Sequence, residues 1–244
     1  NELGKVYKPL IGIESNSSEC AKILRGKLIK NITWKKWTKM GNDNYIRYST
    51  PSPYKTEPDM GKIMTYLKHT MPNNTIVTID AGNFSGWIQR FWTFSEPLTQ
   101  IAPTSGAMGY AIPAAIAAKI AKKHTQVIGF CGDGGFMMSS QELATANQYG
   151  IKPLIILINN SMLGTIRMHQ EIHFPRRIIT TDLINPDFKL LASSYNLHSE
   201  RVQKTSEFPN ALDRSIKSKK AAIIEIQVDP NQITTSKTIK DLNN

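Results

Sequence analysis

Two short polar segments carry the residue types that a hard cation prefers. Asp133 stands in a Gly-Asp-Gly-Gly run that begins at Gly132, and Asn160 ends an Asn-Asn pair further along the chain. Mg²⁺ takes a few protein oxygens, such as a carboxylate and an amide carbonyl, and completes its octahedron with water and phosphate oxygens. The flanking glycines let the backbone approach an anion closely and direct N–H groups at it. Together the segments predict a site for a diphosphate bridged by a metal ion.

Two apolar runs would position these side chains, Val127 to Phe130 and Leu154 to Ile158. Their length and branching are typical of buried parallel strands, and residues 139–149 between them predict a helix. Ligands bind at the carboxyl ends of the strands in an open α/β sheet, which is where both polar segments fall. The other interpretation of an isolated Gly-Asp-Gly is a tight turn after a strand.

The spacing between the Gly-Asp-Gly run and the Asn-Asn pair resembles the diphosphate-binding signature of thiamine diphosphate (ThDP) enzymes. Residues 106–115, 141–146 and 185–188 further resemble the acetolactate synthase large-subunit group, and the likeness covers about residues 58–230. The resemblance implies an α/β fold with a doubly wound, mainly parallel sheet flanked by helices. It also implies ThDP and Mg²⁺ as cofactors and a small-molecule 2-keto acid as substrate of a carboligase or decarboxylase.

The resemblance assigns roles to individual residues of this sequence. The metal ligands are expected to be the side chains of Asp133 and Asn160 and the main-chain carbonyl of Met162. Met108 matches the bulky residue that lies beneath the bent cofactor. The remaining cofactor contacts are expected from Gly82, Asn83, Gly106, Gly132, Gly134, Gly135 and Gly164.

One departure from the acetolactate synthase pattern falls beside the expected diphosphate site. Asn83 and Phe84 stand where the family carries a glutamine-histidine pair. The backbone contribution of Gly82 tolerates this change, whereas the side-chain contacts of Phe84 differ from those of the family. A helix cap is an equal interpretation of Asn83.

A second departure falls in the expected acceptor pocket. Thr165, Ile166 and His169 stand where the family has methionine, valine and tryptophan. Because a hydroxyl and a titratable ring replace apolar groups, we expect Thr165, Arg167 and His169 to contact substrate, and a polar or anionic 2-keto acid or aldehyde to be preferred. The alternative is that Arg167 and His169 project from a surface helix.

The resemblance also implies that part of the active site lies outside this sequence. In the family, the glutamate that activates the aminopyrimidine lies in an N-terminal domain, which a second subunit contributes across a dimer interface. No catalytic residue is therefore assigned in this chain, which is expected to be inactive alone and to need a homo-oligomer or partner that supplies the pyrimidine-binding domain. The alternative is a cofactor-binding module or non-catalytic subunit that depends on a partner chain.

The remaining sequence predicts four regions. Residues 1–30 are expected to form a strand at 6–14 and a helix from about 18 to 30, and residues 31–57 a linker. The resemblance implies that residues 1–30 are the C-terminal remnant of a central domain. The ThDP-binding domain is expected at residues 58–228, and a polar tail that is either loose or a packed extension is expected at 229–244. Further elements are expected at 59–70, 104–122, 185–195 and 209–217 as helices, and at 75–79, 200–202 and 221–228 as strands.

Composition narrows the class of protein. With 244 residues, of which 40% are hydrophobic and 20% charged, the chain can bury a substantial core, and its longest apolar runs are too short for a membrane helix. The net charge of +11 has no accompanying nucleic-acid-binding motif, so we expect a basic surface that attracts anionic ligands and no specific nucleic acid. Cys20 and Cys131 show no pairing pattern, and a cytoplasmic location is expected.

Overall fold

The computed structural model describes residues 2–27, 31–54 and 56–242. The chain divides into two compact units, Asn1–Arg47 and Tyr48–Asn244. Within the described residues, the larger unit contains one sheet of six parallel strands in the order β2-β1-β3-β4-β6-β5. The strands are β1 (Ile76–Ile79), β2 (Gln100–Ile101), β3 (Val127–Gly132), β4 (Leu154–Asn159), β5 (His198–Val202) and β6 (Ala222–Gln227).

Helices of the larger unit cover both faces of this sheet. In chain order, the helices of the described residues are α1 (Ser17–Arg25), α2 (Lys35–Ser49), α3 (Met60–Thr70), α4 (Ser85–Phe91), α5 (Ala111–Ala121), α6 (Asp133–Ser139), α7 (Leu143–Gln148), α8 (Gly164–His173), α9 (Phe188–Ser194), α10 (Phe208–Lys217) and α11 (Ile239–Leu242). Of these, α1 and most of α2 belong to the smaller unit. Of the helices in the described residues, none has the length and apolarity that crossing a bilayer requires. The expected doubly wound, parallel α/β fold is confirmed.

The sheet separates two hydrophobic cores, and β3 contributes to both. Ile128 and Phe130 pack on one face with α3, α4 and α10, whereas Val127 and Cys131 pack on the other with α5, α7 and α9. Side chains alternate between the faces of a strand, so a strand buried on both faces must be apolar along its whole length. This double burial explains the uninterrupted apolar runs, and it fixes where the polar residues that follow them emerge.

The smaller unit differs from its predicted structure. The expected strand at residues 6–14 is not formed, and those residues are exposed bends and irregular structure. A strand needs a hydrogen-bonded neighbour, and no described residue of this unit supplies one. The helix expected from about 18 to 30 ends at Arg25, and residues 28–30 lie outside the described part of the chain.

The segment expected as a linker, residues 31–57, contains a helix, α2, which its lack of a sustained period did not predict. None of the described α2 residues is buried. The helix therefore has no sustained apolar stripe to detect, and local pairs such as Lys39 Nζ to Asp43 Oδ2, at 3.1 Å, support it. The positions of the predicted domain boundaries remain predictions.

Two helix boundaries in the larger unit also differ from the predictions. The helix expected at 139–149 is replaced by α6, a 3-10 turn at Ser140–Glu142, and α7, so that a helix starts directly after β3. The helix expected from 104 starts at Ala111, because the preceding residues form a loop fixed by contacts to Asp80. In this unit α4, β2 and α11 were not predicted, and α8 entered only as the alternative position of Arg167 and His169.

The tail after residue 228 is partly ordered by packing. Ile233 is buried, and the main-chain carbonyl of Thr235 accepts hydrogen bonds from Tyr54 Oη at 2.5 Å and Arg90 Nη1 at 3.2 Å. Of the two alternatives for the tail, these contacts favour a packed extension at residues 233 and 235.

Candidate functional site

The carboxyl ends of β1, β3 and β4 meet at one edge of the sheet and form a cleft. Its volume is about 80 Å³. Small-molecule pockets usually enclose about 300 to 1,000 Å³, so this cleft would hold only part of a cofactor-sized ligand. It is lined by Ala81, Gly82, Asn83, Phe84, Met108, Gly132, Asp133, Gly134, Gly135, Ile158, Asn160, Met162, Leu163, Gly164, Thr165 and Ile166.

Asp133 is the first residue of α6 and is 2% exposed. Its Oδ2 accepts a hydrogen bond from Asn185 Nδ2 at 2.8 Å, and the same amide nitrogen lies 3.0 Å from Asn159 Oδ1. Burial raises the pKa of Asp133, and the hydrogen bond from Asn185 opposes that rise. Asn185 thus orients the carboxylate, a role that the sequence analysis did not assign to it.

The surroundings of Asp133 fit a hard cation. Of the ion pairs formed between described residues, none includes Asp133. A buried carboxylate without a counter-charge is costly, and a divalent cation would supply one. The described residues contain no cluster of three His, Cys, Asp or Glu side chains suited to a metal. A site here must therefore draw on amide and main-chain oxygens, as Mg²⁺ sites do.

The segment after β4 brings Asn160 and Met162 to the same edge. Met162 N donates to Asn160 Oδ1 at 3.2 Å, and Ser161 between them adopts a φ of 54°. Leu163 N donates to Thr181 O and Leu183 N donates to Ser161 O, both at 2.8 Å, so the turn is tied to the chain beyond α8. Asp133, Asn160 and Met162 therefore line one cleft, as the proposed ligand set requires.

Asp80 fixes the loop that carries Met108 and was missed in the sequence. It is 2% exposed, and its carboxylate accepts hydrogen bonds from Gly109 N at 3.0 Å and Ala111 N at 2.6 Å. Burial raises its pKa, and these backbone hydrogen bonds oppose the rise. Gly135 packs so closely on Asp80 Oδ2 that a Cβ at this position would overlap it. Gly135 therefore has a packing role beside its place in the cleft.

Phe84 occupies the space beside two of the cleft glycines. Gly82 has a φ of 147°, and a Cβ there would lie 2.8 Å from the Phe84 ring. A Cβ on Gly132 would lie 3.2 Å from the same ring. A side chain would displace the Phe84 ring at Gly82 and crowd it at Gly132, and with glycine at both positions the backbone after β1 and at the end of β3 is not covered by a side chain of its own.

Asn83 joins the cleft to the start of α8. Its Nδ2 lies 3.3 Å from Gly164 O, and its Oδ1 accepts a hydrogen bond from Thr165 Oγ1 at 2.9 Å. The side chain does not cap α4, whose N-cap residue is Phe84. Of the two interpretations of Asn83, this arrangement favours a position at the site over a helix cap.

Three other predicted site residues do not line the cleft. Arg167 pairs with Glu171 at 2.7 Å and with Asp182 at 3.4 Å, so its guanidinium is directed along α8. His169 is exposed and stacks on His173, with ring centroids 5.9 Å apart. Gly106 lies in the exposed loop before Met108, with a φ of 68°. Carboxylates on and near its own helix hold Arg167, and its expected contact with substrate stays a prediction.

Comparisons with known proteins agree with this geometry. Residues 80–226 match the family described as "Thiamine pyrophosphate enzyme, C-terminal TPP binding domain". The probable acetolactate synthase large subunit of Methanocaldococcus jannaschii is 34% identical over 180 residues, which is 73% of this chain and 30% of the relative. For acetolactate synthase isozyme 2 large subunit of Escherichia coli, the identity is 31% over 169 residues, 68% of this chain and 31% of the relative.

A third relative, the acetolactate synthase large subunit of Lactococcus lactis, is 29% identical over 239 residues, 95% of this chain and 40% of the relative. The parallel sheet with a cleft at its carboxyl edge defines the class as a doubly wound α/β ligand-binding domain. The chain belongs to the thiamine pyrophosphate enzyme family and contains its C-terminal TPP-binding domain, TPP being another name for ThDP. It spans 30% to 40% of the length of these three curated relatives.

Proposed function

We propose that this chain is the ThDP- and Mg²⁺-binding part of a carboligase or decarboxylase that acts on 2-keto acids, of the acetolactate synthase type. The observation that carries the proposal is the buried Asp133 carboxylate, which faces a glycine-lined cleft and forms no ion pair with any described residue. Mg²⁺ would be held by Asp133, Asn160 and the carbonyl of Met162. When bound, ThDP supplies nucleophilic attack on a keto carbonyl and an electron sink for decarboxylation.

The remaining cleft residues would hold the organic part of the cofactor. The backbone at Gly82, Gly132 and Gly134 is open to a diphosphate, since none of these residues places a side chain in the cleft. The Met108 side chain reaches the same wall, where its Cε would lie 3.3 Å from a Cβ on Gly134. We assign Met108 to support of the bent cofactor and the backbone at Gly106 to its aminopyrimidine.

Calorimetry with ThDP and Mg²⁺ tests the binding half of the proposal. Asp133→Ala should remove the metal dependence of ThDP binding, because it removes the charged ligand of the cation. Asp213→Ala, which removes an exposed carboxylate from α10, is the matched control and should bind as the wild type does. Unchanged metal dependence in Asp133→Ala would refute the assignment.

Turnover is proposed to need a pyrimidine-binding domain from a homodimer or other partner. These two relatives are each about two and a half times as long as this chain, which leaves room for such a domain in the whole protein. We expect residues 1–244 alone to release no carbon dioxide from pyruvate. Measurable decarboxylation by the purified chain would contradict this. We also propose a cytoplasmic location, supported by the two free cysteines.

We further propose that the full-length protein prefers a polar or anionic 2-keto acid. The supporting contact is the hydrogen bond between Thr165 and Asn83, which places polar groups on the cleft wall. Rates for pyruvate, 2-ketobutyrate and a hydroxylated analogue should shift toward 2-ketobutyrate in Thr165→Val. His169→Ala tests the remaining expectation for His169, and an unchanged preference there would remove it from the substrate site.

The second candidate function is a cofactor-binding module or non-catalytic subunit that requires a partner chain. Phe84 favours it, because an apolar ring beside Gly82 and Gly132 offers no proton donor to a diphosphate. A full-length protein that binds ThDP with Mg²⁺ and turns over no 2-keto acid would support this candidate over an enzyme.

A further inference from the structure

A second cavity lies at the amino-terminal edge of the sheet, opposite to the cleft. Its volume is about 460 Å³, several times that of the cleft. It lies where the chain enters β3 and β4, and the C-terminal ends of α5, α7 and α10 surround it. This size falls within the range of about 300 to 1,000 Å³ that is usual for small-molecule sites.

The walls of this cavity carry a concentrated positive charge. Lys119, Lys123, Lys152 and Lys220 line it, and none of the described residues that line it is acidic. The C-terminus of each surrounding helix is equivalent to about half a negative charge, so three helices contribute about −1.5 against four ammonium groups. The helix ends therefore do not neutralise the lysines, and an excess positive charge faces the cavity.

Lys119 shows that two of these charges are close enough to oppose each other. It is half-buried, its Nζ donates to Thr125 O at 2.7 Å, and burial followed by repulsion from Lys152 lowers its pKa. An anion between the two ammonium groups would relieve both effects. Ser215 on the same wall is buried, and its hydroxyl has no hydrogen-bond partner among the described residues.

The cavity also has an apolar side. Tyr149 and Ile216 line it, and both side chains are exposed. An aromatic ring next to several lysines matches a ligand with a planar ring at one end and phosphates at the other. We propose that this cavity is a binding site for a nucleoside diphosphate or triphosphate, separate from the ThDP cleft.

The shape favours a small molecule over a nucleic-acid strand. The four lysines surround one concave cavity, whereas proteins that track a strand present a long positive groove with successive aromatic platforms. The site lies at the opposite edge of the sheet from Asp133. Its occupancy therefore does not depend on the ThDP assignment.

ADP is the probe for calorimetry with the 244-residue chain, in the presence of EDTA and with excess ThDP as a competitor. ADP should bind at least about tenfold more tightly than adenosine or pyrophosphate, since each of these presents only one half of the ligand. A single-stranded oligonucleotide is titrated as well, to compare nucleic-acid binding with ADP binding. Tighter binding of the oligonucleotide than of ADP, or complete displacement of ADP by ThDP, would overturn the proposal.

Charge-matched variants locate the binding site. The double variant Lys152→Gln with Lys220→Gln should raise the Kd of ADP about tenfold or more, because charge-assisted contacts to phosphate are lost. Lys68→Gln with Lys189→Gln removes the same charge from exposed positions on α3 and α9 and should leave the Kd within about twofold. Equal Kd values in the two double variants would refute a local site.

A second measurement does not depend on substitutions. Acetylation of lysines, followed by mass spectrometry, should show that ADP protects Lys119 and Lys152 while Lys68 reacts at an unchanged rate. Protection of all three lysines to the same extent, or of none, would contradict binding in this cavity.

Discussion

Gly135→Ala tests whether the close contact between Gly135 and Asp80 holds the loop that bears Met108 in place. Gly135 is the third residue of α6, where alanine would ordinarily be preferred over glycine. A Cβ at this position would overlap Asp80 Oδ2, so the carboxylate of Asp80 must move. That carboxylate accepts hydrogen bonds from Gly109 N and Ala111 N, and these bonds hold the loop that bears Met108.

The expected magnitude follows from these contacts. Hydrogen bonds to charged groups contribute about 1.5 to 3 kcal/mol each, so losing both would cost about 3 to 6 kcal/mol. The better helix propensity of alanine offsets about 1 kcal/mol of this. We therefore expect Gly135→Ala to lower the free energy of unfolding by about 2 to 5 kcal/mol.

Urea unfolding followed by tryptophan fluorescence measures this free energy, because Trp87 and Trp92 are buried in the larger unit. Gly86→Ala is the matched control, since Gly86 is also helical and a Cβ there would lie 3.6 Å from Thr235 Cγ2, an ordinary contact. This control should be neutral or stabilised by up to about 1 kcal/mol.

Two results would refute this reasoning. The first is a Gly135→Ala variant as stable as Gly86→Ala. The second comes from a double-mutant cycle: in an Asp80→Ala background no carboxylate remains to be displaced, so most of the cost of Gly135→Ala should disappear. An undiminished cost in that background would mean that Gly135 acts through another neighbour.

Three further outcomes are expected. Asp80→Asn removes a carboxyl whose pKa is raised by burial, so that the folded state binds its proton more tightly than the unfolded chain does. The free energy of unfolding of the wild type relative to that of Asp80→Asn should therefore increase as pH falls from neutral toward 3.8. A difference in urea unfolding that stays constant with pH would contradict this. Arg201→Met leaves Glu225, which is 2% exposed and 2.6 Å from Arg201 Nε, without its cationic partner and should destabilise the fold by about 3 kcal/mol in the same assay. Thr165→Ala should weaken ThDP binding in calorimetry by less than about tenfold, because its hydroxyl contacts Asn83 rather than the metal ligands; complete loss of binding would place Thr165 in the cofactor site.

The sequence alone predicted the parallel sheet and the edge of the sheet at which the polar residues emerge. Strands buried on both faces must be apolar without interruption, so β3 and β4 were visible as runs, and the polar residues after them had to emerge together in a parallel sheet. For this reason Asp133 and Asn160 were expected at one edge of the sheet, and both line the cleft there. The resemblance to ThDP enzymes then supplied the cofactor, which the family match supports.

Tertiary structure alone decided which side chains organise that edge. Asp80 bonds to Ala111, 31 positions away, and Asn185 bonds to Asp133, 52 positions away, so neither contact leaves a local pattern in the sequence. The ion pairs of Arg167 with Glu171 and Asp182 were likewise not predicted from the sequence. The start of α6 at Asp133 was also not predicted, because the glycines that follow Asp133 have a low helix propensity. One of these glycines, Gly135, is needed in the helix because a Cβ there would overlap the carboxylate of Asp80. Local periodicity specifies strands and helices, but the order in which strands join the sheet determines which distant polar groups meet.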